Sequence, residues 1–316
     1  MSGIRFQLNG RWRTENSVSP TTTLLDYLRL HARLTGTKEG CAEGDCGVCT
    51  VVIENAAWES GEDFRAVNSC LMMLAQVDRR SVVTVEGLAG KDGVLNSVQQ
   101  SLIEADATQC GFCTPGFAMA MFAFAHESKI YGGERRDDDA IHEALAGNLC
   151  RCTGYRPIIG AAADACRGEA TDLWASAAAD IAAELKTLND GSDVFCGTGD
   201  SFAAVPAKAE TLLDLCAKHP DATVVAGATD VGLWITKQMR SLPKLIFTGK
   251  VEALHAITDR VATLSLGSAV TYAEAERQLA AIAPDMGEVL RRIGSKQVRS
   301  SGTIGGNIAN GSPIGD

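Results

Sequence analysis

The sequence has little positive charge and no long apolar run. Its 316 residues include 29 Lys and Arg against 39 Asp and Glu, for a formal net charge of -10. Non-specific nucleic-acid binding needs basic patches that contact phosphates, so the composition argues against that function. No stretch approaches the roughly 18 apolar residues of a membrane span, and residues 1–17 lack a signal-peptide core. We therefore expect a cytoplasmic protein that binds neither nucleic acid nor membranes.

Side chains for acid–base or nucleophilic catalysis are also scarce. The five histidines are scattered and form no H-E-x-x-H motif, and isolated histidines are more typical of a core or a surface. The dinucleotide-binding fingerprint G-x-G-x-x-G is absent as well. The histidines are His31, His126, His142, His219 and His255. We predict no catalytic residue on this chain.

Cysteine, by contrast, is abundant, and eight of the eleven cysteines fall into two clusters of four. Thiols stay reduced in the cytoplasm, so clustered cysteines indicate metal binding or redox chemistry rather than a disulfide framework. The other three, Cys166, Cys196 and Cys216, are expected to be small core residues.

The first cluster has the spacing C-x4-C-x2-C, followed after twenty residues by a fourth cysteine. This is the spacing of a plant-type [2Fe-2S] ferredoxin loop. Gly40, Gly44 and Gly47 allow the loop to fold back, often at positive φ, so that backbone N–H groups face the sulfurs. A structural zinc site is the alternative, but zinc sites favour paired C-x2-C units and only one occurs here. The predicted ligands are Cys41, Cys46, Cys49 and Cys70.

The second cluster combines a C-x2-C pair with a C-x-C pair, and 36 residues separate them. The C-x-C pair suits an iron–sulfur cluster if its two thiolates share one iron, but by itself the pattern also allows zinc. Thr114, Pro115 and Pro157 are typical of helix starts, whose partial positive charge favours an anionic cluster. The predicted ligands are Cys110, Cys113, Cys150 and Cys152.

Hydrophobic patterns divide the chain into three domains of an α+β protein. Residues 1–90 contain a strand hairpin, further apolar strands and one helix, which predicts a ferredoxin-like β-grasp domain. Residues 91–168 contain four helical segments, which predict a small four-helix bundle around the second cluster. The alanine-rich residues 169–200 are interpreted as a weakly structured linker, and residues 201–316 as an α/β domain.

Three segments around the cysteines resemble the molybdenum hydroxylase (xanthine oxidase) family. They are LTGTKEGCAEGDCGVCTV, QCGFCTPGF and GNLCRCTGYRPI. The later run SKQVRSSGTIGGNIANGSPIGD resembles the flavin domain of that family, so the resemblance covers essentially the whole chain. Both parts occur in one chain, and that chain ends in SPIGD. For these two reasons, the sequence is most similar to the small iron–sulfur and flavin subunit of bacterial xanthine dehydrogenases.

Two glycine-rich segments carry the flavin interpretation. A short apolar strand runs into Gly227 and Thr229, where backbone N–H groups and a hydroxyl suit a pyrophosphate, and Gly305 and Gly306 lie in a second turn. By themselves, both segments are also typical of ordinary tight turns. The resemblance implies that they hold the diphosphate and adenosine side of FAD. The implied residues are Val224, Val225, Ala226, Gly227, Ala228, Thr229, Asp230, Val231, Thr303, Ile304, Gly305, Gly306, Asn307 and Asp316.

The chain departs from the family pattern at two places. Ala228 stands where family members often have glycine or asparagine, which argues against a side-chain contact there but not against the loop. The flavin domain of the family continues well beyond the SPIGD motif, whereas this sequence stops at Asp316. We therefore expect an FAD-binding domain that is incomplete at its C-terminus.

The resemblance implies an electron-transfer role. A large molybdopterin-binding partner, in an (αβ)2 assembly, would oxidise hypoxanthine or xanthine to urate. Electrons would pass through two [2Fe-2S] clusters to FAD and on to NAD+. Gln109 and Cys152 match positions that contact the pterin in the family.

Two alternatives remain open at this point. One is the same subunit of another molybdenum hydroxylase, which oxidises an aldehyde, an N-heterocycle or carbon monoxide. The other is a non-catalytic module in which zinc holds two small domains together for protein binding. The first differs only in the pocket of the partner, to which this sequence contributes no substrate contact. The second differs in the metal, which spacing alone does not decide.

Overall fold

A computed structural model of the chain describes residues 3–54, 64–90, 93–126, 138–166, 172–188, 190–260 and 262–313. It contains three packed units, which are a five-stranded sheet, a group of helices, and a second sheet with helices. The predicted α+β class and the predicted order of the units are confirmed. Within the described ranges, no helix is both long and apolar enough to cross a membrane.

The first unit is a β-grasp domain built on a mixed sheet. Its strands are β1 (Ile4–Leu8), β2 (Arg11–Glu15), β3 (Thr50–Glu54), β4 (Phe64–Asn68) and β5 (Ser81–Val83). The sheet order is β2-β1-β5-β3-β4, with β1 and β5 parallel and the other neighbours antiparallel. The β1–β2 turn at Asn9 and Gly10 has positive φ at both residues, as a tight hairpin requires. Helix α1 (Leu24–Asp26) continues as a π-helical turn, Tyr27–His31, and short 3-10 turns follow at Leu74–Val77 and Val85–Gly87.

The second unit covers one face of this sheet with helices. They are α2 (Ser97–Glu104), α3 (Thr114–His126), α4 (Asp138–Leu145) and α5 (Arg156–Cys166). Val51 and Val52 of β3 point to opposite faces, so Val51 packs in the core with α1 and Val52 packs in the core of the helices. Helix α3 is buried on all sides because it lies between the sheet and the other helices. The four predicted helices are therefore present.

A fifth helix, α6 (Leu173–Leu188), lies in the segment that was interpreted as a linker. Trp174 and Leu185 pack in the core of the other helices, and the Trp174 indole N–H donates to the Gly87 carbonyl at 2.9 Å. The prediction of a weakly structured linker over 169–200 is therefore wrong for this helix. Alanine is the strongest helix former but contributes little hydrophobic contrast, so the periodicity of the segment is weak.

The third unit contains a sheet with the strand order β6-β7-β9-β8. Its strands are β6 (Val194–Thr198), β7 (Ser201–Val205), β8 (Thr223–Val225) and β9 (Lys244–Phe247). Strands β7, β9 and β8 are parallel, and β6 pairs antiparallel with β7. Because β6 begins at Val194, the boundary predicted at residue 201 falls within the β6–β7 hairpin.

Helices and a small hairpin complete the third unit. The helices are α7 (Ala209–Lys218), α8 (Val231–Thr236), α9 (Tyr272–Ile282), α10 (Pro284–Arg292), α11 (Lys296–Ser301) and α12 (Ile304–Asn310). A 3-10 turn at Glu252–Leu254 precedes the hairpin of β10 (Ile257–Arg260) and β11 (Thr263–Leu266). The segment predicted as a second glycine-rich turn is thus the start of α12, and Thr303 caps it by accepting the Gly306 N–H. Thr303 is a good N-cap residue, which favours a helix over a turn.

A buried hydrogen-bond network joins the three units. The Gln297 side-chain amide of α11 donates to Asn148 Oδ1 at 2.8 Å and to Thr50 Oγ1 at 3.2 Å. Asn148 Nδ2 donates to the Gly47 carbonyl at 2.9 Å. Thr50, Asn148 and Gln297 come from different units and are at most 3% exposed. We call these three residues the three-domain network, because together they tie the units into one arrangement.

We predict that Gln297→Ala lowers the free energy of unfolding by about 1–3 kcal/mol, because Asn148 Oδ1 loses its donor in a site without access to water. Urea denaturation followed by circular dichroism measures the change. The matched control is Gln238→Ala, because Gln238 is exposed and its removal should change stability by less than about 0.5 kcal/mol. Equal losses in the two variants would contradict a structural role for the network.

Candidate iron–sulfur and flavin sites

The first four predicted cysteines lie at the end of the first sheet where β3 begins and its neighbour β4 finishes. Cys49 precedes β3 and Cys70 follows β4, and because β3 and β4 are paired, the two sulfurs lie 3.3 Å apart. On the loop before β3, the Cys46 N–H donates to Cys41 Sγ at 3.3 Å, and the Cys41 N–H donates to Cys46 Sγ at 3.4 Å. The fold therefore presents these four thiols as two close pairs.

Hydrogen bonding gives the two thiols of the buried pair, Cys49 and Cys70, different pKa values. The hydrogen bond between the two sulfurs lowers the pKa of Cys49 to about 7 and raises the pKa of Cys70. The Asn68 amide also donates to Cys49 Sγ at 3.7 Å. In the other pair, Cys41 and Cys46, burial raises the pKa of Cys46. A metal centre at this site would therefore displace protons from the remaining thiols as it binds.

The loop backbone directs N–H groups at the sulfurs. Gly44 and Gly47 have φ values of +79° and +69°, a conformation that favours glycine. Backbone hydrogen bonds from Val48 to Cys46 and from Gly44 to Cys70 lower the pKa of these thiols, in opposition to burial. Inward N–H groups of this kind stabilise a bound anionic cluster, so the loop fits the group that its spacing predicts.

The second four predicted cysteines lie at the starts of two helices. Cys113 directly precedes α3, whereas Cys150 and Cys152 lie on the loop before α5. Cys152 Sγ lies 3.4 Å from Cys110 Sγ, and Cys113 shares a thiol hydrogen bond with Cys150. Each member of the C-x-C pair thus faces a different member of the C-x2-C pair. These contacts favour one thiol of each pair on each iron, whereas the sequence suggested that the C-x-C pair shares one iron; which thiols share an iron stays a prediction.

Local hydrogen bonds also polarise the second set. Burial, together with the hydrogen bond to Cys150, raises the pKa of Cys113 to about 12. Burial acts to raise the pKa of Cys150 as well, but hydrogen bonds from Thr153, Cys152 and Cys113 lower it to about 7. The Tyr155 hydroxyl accepts the Cys150 N–H at 3.0 Å and so holds the loop that carries both cysteines.

The donor sets fit binuclear clusters. Each set offers four thiols in two pairs, and a [2Fe-2S] cluster takes two cysteines on each of its two irons. Within the part of the chain that the structure describes, no three His, Cys, Asp or Glu side chains are grouped as ligands of a single metal ion. The eight predicted ligands are therefore brought together as four thiol pairs.

The two thiol sets are neighbours. The Leu149 N–H, one residue before Cys150, donates to the Cys46 carbonyl at 3.0 Å. Gly116 of α3 packs so closely on the Gly47 carbonyl that an added Cβ would lie 2.3 Å from it. The loops that carry the two sets are therefore in direct backbone contact.

One edge of the second set is open to solvent. Cys110 and Cys152 are exposed, whereas Cys49 and Cys70 of the first set are each 2% exposed. Gln109 is also exposed beside Cys110, so the two predicted pterin-contacting residues, Gln109 and Cys152, lie on one edge. Large apolar side chains are exposed in the same loops, namely Phe112, Leu149 and Tyr155.

A cavity of about 300 Å³ lies in the third unit between the start of α8 and the start of α12. Most of the residues predicted to contact FAD line it, which are Val224, Ala226, Gly227, Ala228, Thr229, Asp230, Val231, Thr303, Gly305, Gly306 and Asn307. Val225 is instead buried in a hydrophobic core, Ile304 packs on a second core, and Asp316 lies outside the described residues. Seven further lining residues were not predicted, namely Trp234, Thr248, Ser268, Tyr272, Gly302, Ala309 and Asn310. Only the last three of these lie in the glycine-rich run at 302–313, so the spacing of residues in the sequence contains little signal for the other four.

Close backbone approach shapes the cavity. A Cβ at Gly227 would lie 2.1 Å from the Ser301 carbonyl oxygen, so only glycine fits at this position. Ala228 has a φ of +63°, a left-handed conformation that glycine or asparagine adopts more readily. Ala228 therefore adopts the backbone conformation that the glycine or asparagine of the family pattern would favour.

Helix α8 connects this cavity to the first thiol set. Asp230 and Val231 line the cavity, and one residue later Gly232 packs against the backbone of Leu71, next to Cys70. At the other end of α8, Thr236 Oγ1 donates to the Ala42 carbonyl at 2.7 Å. The spatial order is therefore the second set with its exposed edge, the first set with its buried Cys49–Cys70 pair, and then the cavity.

Comparison with protein families divides the chain in the same way. Residues 6–75 match a 2Fe-2S iron–sulfur cluster binding domain, and residues 84–163 match a [2Fe-2S] binding domain. Residues 200–316 match the FAD binding domain in molybdopterin dehydrogenase. These three matches cover the thiol sets and the cavity.

Whole-chain comparison finds similar enzymes in animals and plants. The chain is 31% identical to xanthine dehydrogenase of Drosophila pseudoobscura pseudoobscura, over 100% of this chain and 27% of that protein. It is 32% identical to xanthine dehydrogenase 2 of Arabidopsis thaliana, over 93% and 26%. It is 31% identical to aldehyde oxidase 1 of Cavia porcellus, over 97% and 27%. The chain thus spans about a quarter of the length of these curated relatives.

We predict that Gly227→Ala lowers the free energy of unfolding by about 1–3 kcal/mol, because the added Cβ forces the loop away from the Ser301 carbonyl. The control is Gly160→Ala in α5, where no atom lies within 4 Å of an added Cβ. That change should leave stability unchanged or raise it by up to about 1 kcal/mol, because alanine favours the helix. Urea denaturation of both variants measures the difference, and equal stability would contradict the close approach.

Proposed function

Because the chain belongs to the molybdenum hydroxylase family and carries its iron–sulfur and FAD modules, we propose that it is the electron-transfer part of a xanthine dehydrogenase. The observation that carries the proposal is the order in which the three sites contact one another. The second thiol set, which has one exposed edge, adjoins the first thiol set, and α8 links the first set to the cavity. Such an order suits electron flow from a partner surface to a bound flavin.

Eight cysteines hold two [2Fe-2S] clusters in this proposal. They are Cys41, Cys46, Cys49 and Cys70 in the first domain, and Cys110, Cys113, Cys150 and Cys152 in the second. The clusters and the flavin supply one-electron storage and transfer, and the protein supplies spacing and electrostatics. The close thiol pairs and the inward N–H groups support this assignment.

The exposed edge of the second set receives the partner. A large molybdopterin-binding subunit docks there, in an (αβ)2 assembly, and Gln109 and Cys152 contact its pterin. The exposed Phe112 and Leu149 support a docking surface, because apolar side chains of this size at a functional edge favour a protein partner. Electrons from oxidation of hypoxanthine or xanthine to urate enter the chain at this edge.

The larger cavity binds FAD, and NAD+ is the final acceptor. Backbone N–H groups around Gly227 and Gly305, together with the Thr229 hydroxyl, suit the flavin diphosphate. The Gly227→Ala variant should therefore also lose at least tenfold in FAD affinity, measured by quenching of flavin fluorescence. Unchanged affinity would argue that the diphosphate lies elsewhere.

A second candidate is the same module of an aldehyde-oxidising member of the family. The observation that favours it is the identity of 31% to aldehyde oxidase 1 of Cavia porcellus, which equals the identity to one xanthine dehydrogenase. The substrate pocket belongs to the partner in either case, so the two candidates assign the same roles to the residues of this chain.

Visible spectra of the protein, purified with its partner and exposed to xanthine without oxygen, test the proposal. Bleaching by xanthine with recovery on addition of NAD+ is the expected result. A red-brown sample that an aldehyde bleaches, but xanthine does not, would favour the second candidate. A colourless sample that contains zinc would overturn both candidates and leave a zinc-stapled module.

We predict that Cys49→Ala abolishes the electron paramagnetic resonance signal of the first cluster and leaves that of the second. Loss of one thiolate from the buried Cys49–Cys70 pair leaves an iron without its full set of ligands. The matched control, Cys216→Ala, removes a half-buried cysteine outside both sets and should leave both signals. Retention of both signals in the Cys49 variant would disprove the ligand assignment.

A further inference from the structure

A second, smaller cavity lies between the first and third domains. Its volume is about 60 Å³, and it shares the walls formed by Ala226, Gly227, Thr248 and Thr303 with the larger cavity. A space of this size has room for about four water molecules. It is therefore large enough for one small oxyanion, such as inorganic phosphate with its five heavy atoms, but too small for a nucleoside.

The walls of the smaller cavity carry more basic than acidic side chains. The first domain contributes one acidic and two basic residues, and the third domain contributes one acidic residue, one lysine and one histidine. They are Asp78, Arg65 and Arg80, and Glu274, Lys250 and His255. The cavity walls thus carry two arginines and one lysine but only two carboxylates. One positive charge is therefore left unbalanced even when His255 is neutral.

Both carboxylates already have partners. Asp78 accepts from Lys250 Nζ at 2.7 Å through one oxygen, and from the Arg5 N–H at 2.8 Å through the other. Glu274 forms an ion pair with Arg65 at 3.0 Å. Two of the three permanently basic groups are therefore matched by these contacts, and the unmatched charge is on Arg80.

The guanidinium of Arg80 has no hydrogen-bond or ion-pair partner among the described residues. Burial, together with the nearby Arg65, lowers the pKa of Arg80 to about 10. Burial also lowers the pKa of Lys250 and of His255, and the His255 ring N–H donates to the Gly249 backbone, which acts to raise the pKa of His255. The cavity is therefore a partly desolvated site in which a negative charge would offset the cost of the unmatched charge on Arg80.

We propose that the smaller cavity is a binding site for a phosphate-type oxyanion, with the Arg80 guanidinium as its principal ligand. A guanidinium presents a planar fork of donors that matches two oxygens of phosphate, and the donors of Arg80 are unused. The site joins two domains, because Arg80 belongs to the first and Lys250 and His255 to the third. It goes beyond the proposed function and does not depend on it.

Calorimetric titration of the desalted full chain with inorganic phosphate, with and without saturating FAD, tests the proposal. We expect one phosphate to bind under both conditions, because the flavin occupies the larger cavity only. Arg80→Gln should weaken binding at least tenfold, and Arg80→Lys should weaken it less, since lysine keeps the charge but lacks the fork. The control Arg11→Gln removes an exposed arginine of β2 and should bind as the wild type does.

Thermal melting supplies a second readout. Phosphate should raise the melting temperature of the wild type and of Arg11→Gln, but not of Arg80→Gln. Without phosphate, Arg80→Gln should melt at the same temperature or higher, because an unmatched buried charge has been removed. If that variant does not fold, the comparison rests on Arg80→Lys.

Three results would overturn the proposal. They are absence of phosphate binding, equal phosphate affinity in the wild type and the Arg80 variants, and loss of phosphate binding when FAD is present. The last result would assign the phosphate to the larger cavity, at Thr229 and Gly305, instead. A failure of FAD itself to bind would disprove the flavin assignment, yet the Arg80 variants would still decide the phosphate site.

Discussion

The hydrogen bonds among Thr50, Asn148 and Gln297 are the constraint on which the relative positions of the sites depend. Asn148 lies two residues before Cys150 and donates to the loop of the first thiol set at Gly47. Gln297 lies on α11, in the segment that leads to the cavity. Because all three network residues are buried, each lost bond would leave a polar atom without water as a replacement. A displacement of one domain therefore disturbs the spacing of all three sites.

Helix α8 gives the same arrangement a second connection. It has six residues, and its first turn borders the cavity while its last residues contact the loop of the first thiol set. The smaller cavity lies on the same domain boundary, and the half-buried Arg80 and Lys250 both line it. The boundary between the first and third domains thus combines a rigid contact through α8 with an unbalanced charge that a bound anion would neutralise.

The sequence predicted the cysteine sets, the β-grasp domain and four helices, because each has a strong local signal in spacing or periodicity. It was wrong about α6, where alanine carries helix propensity without hydrophobic contrast, although Trp174 and Leu185 pack in the core. It was wrong about the turn at Gly305 and Gly306, where capping by Thr303 starts a helix. The pairing of Cys110 with Cys152 was also missed, since which sulfurs meet depends on how α3 and α5 pack.

The sequence by itself determined which residues offer sulfur and which loops can fold back, because cysteine spacing and glycine are local properties of the chain. The tertiary structure alone decided which thiols pair, which thiol set faces solvent and where Arg80 is left without a partner. Each of these results comes from contacts between residues that are far apart in sequence. Arg80 and Lys250, for example, line one cavity only because two domains pack together, and no local pattern records the charge balance at their boundary.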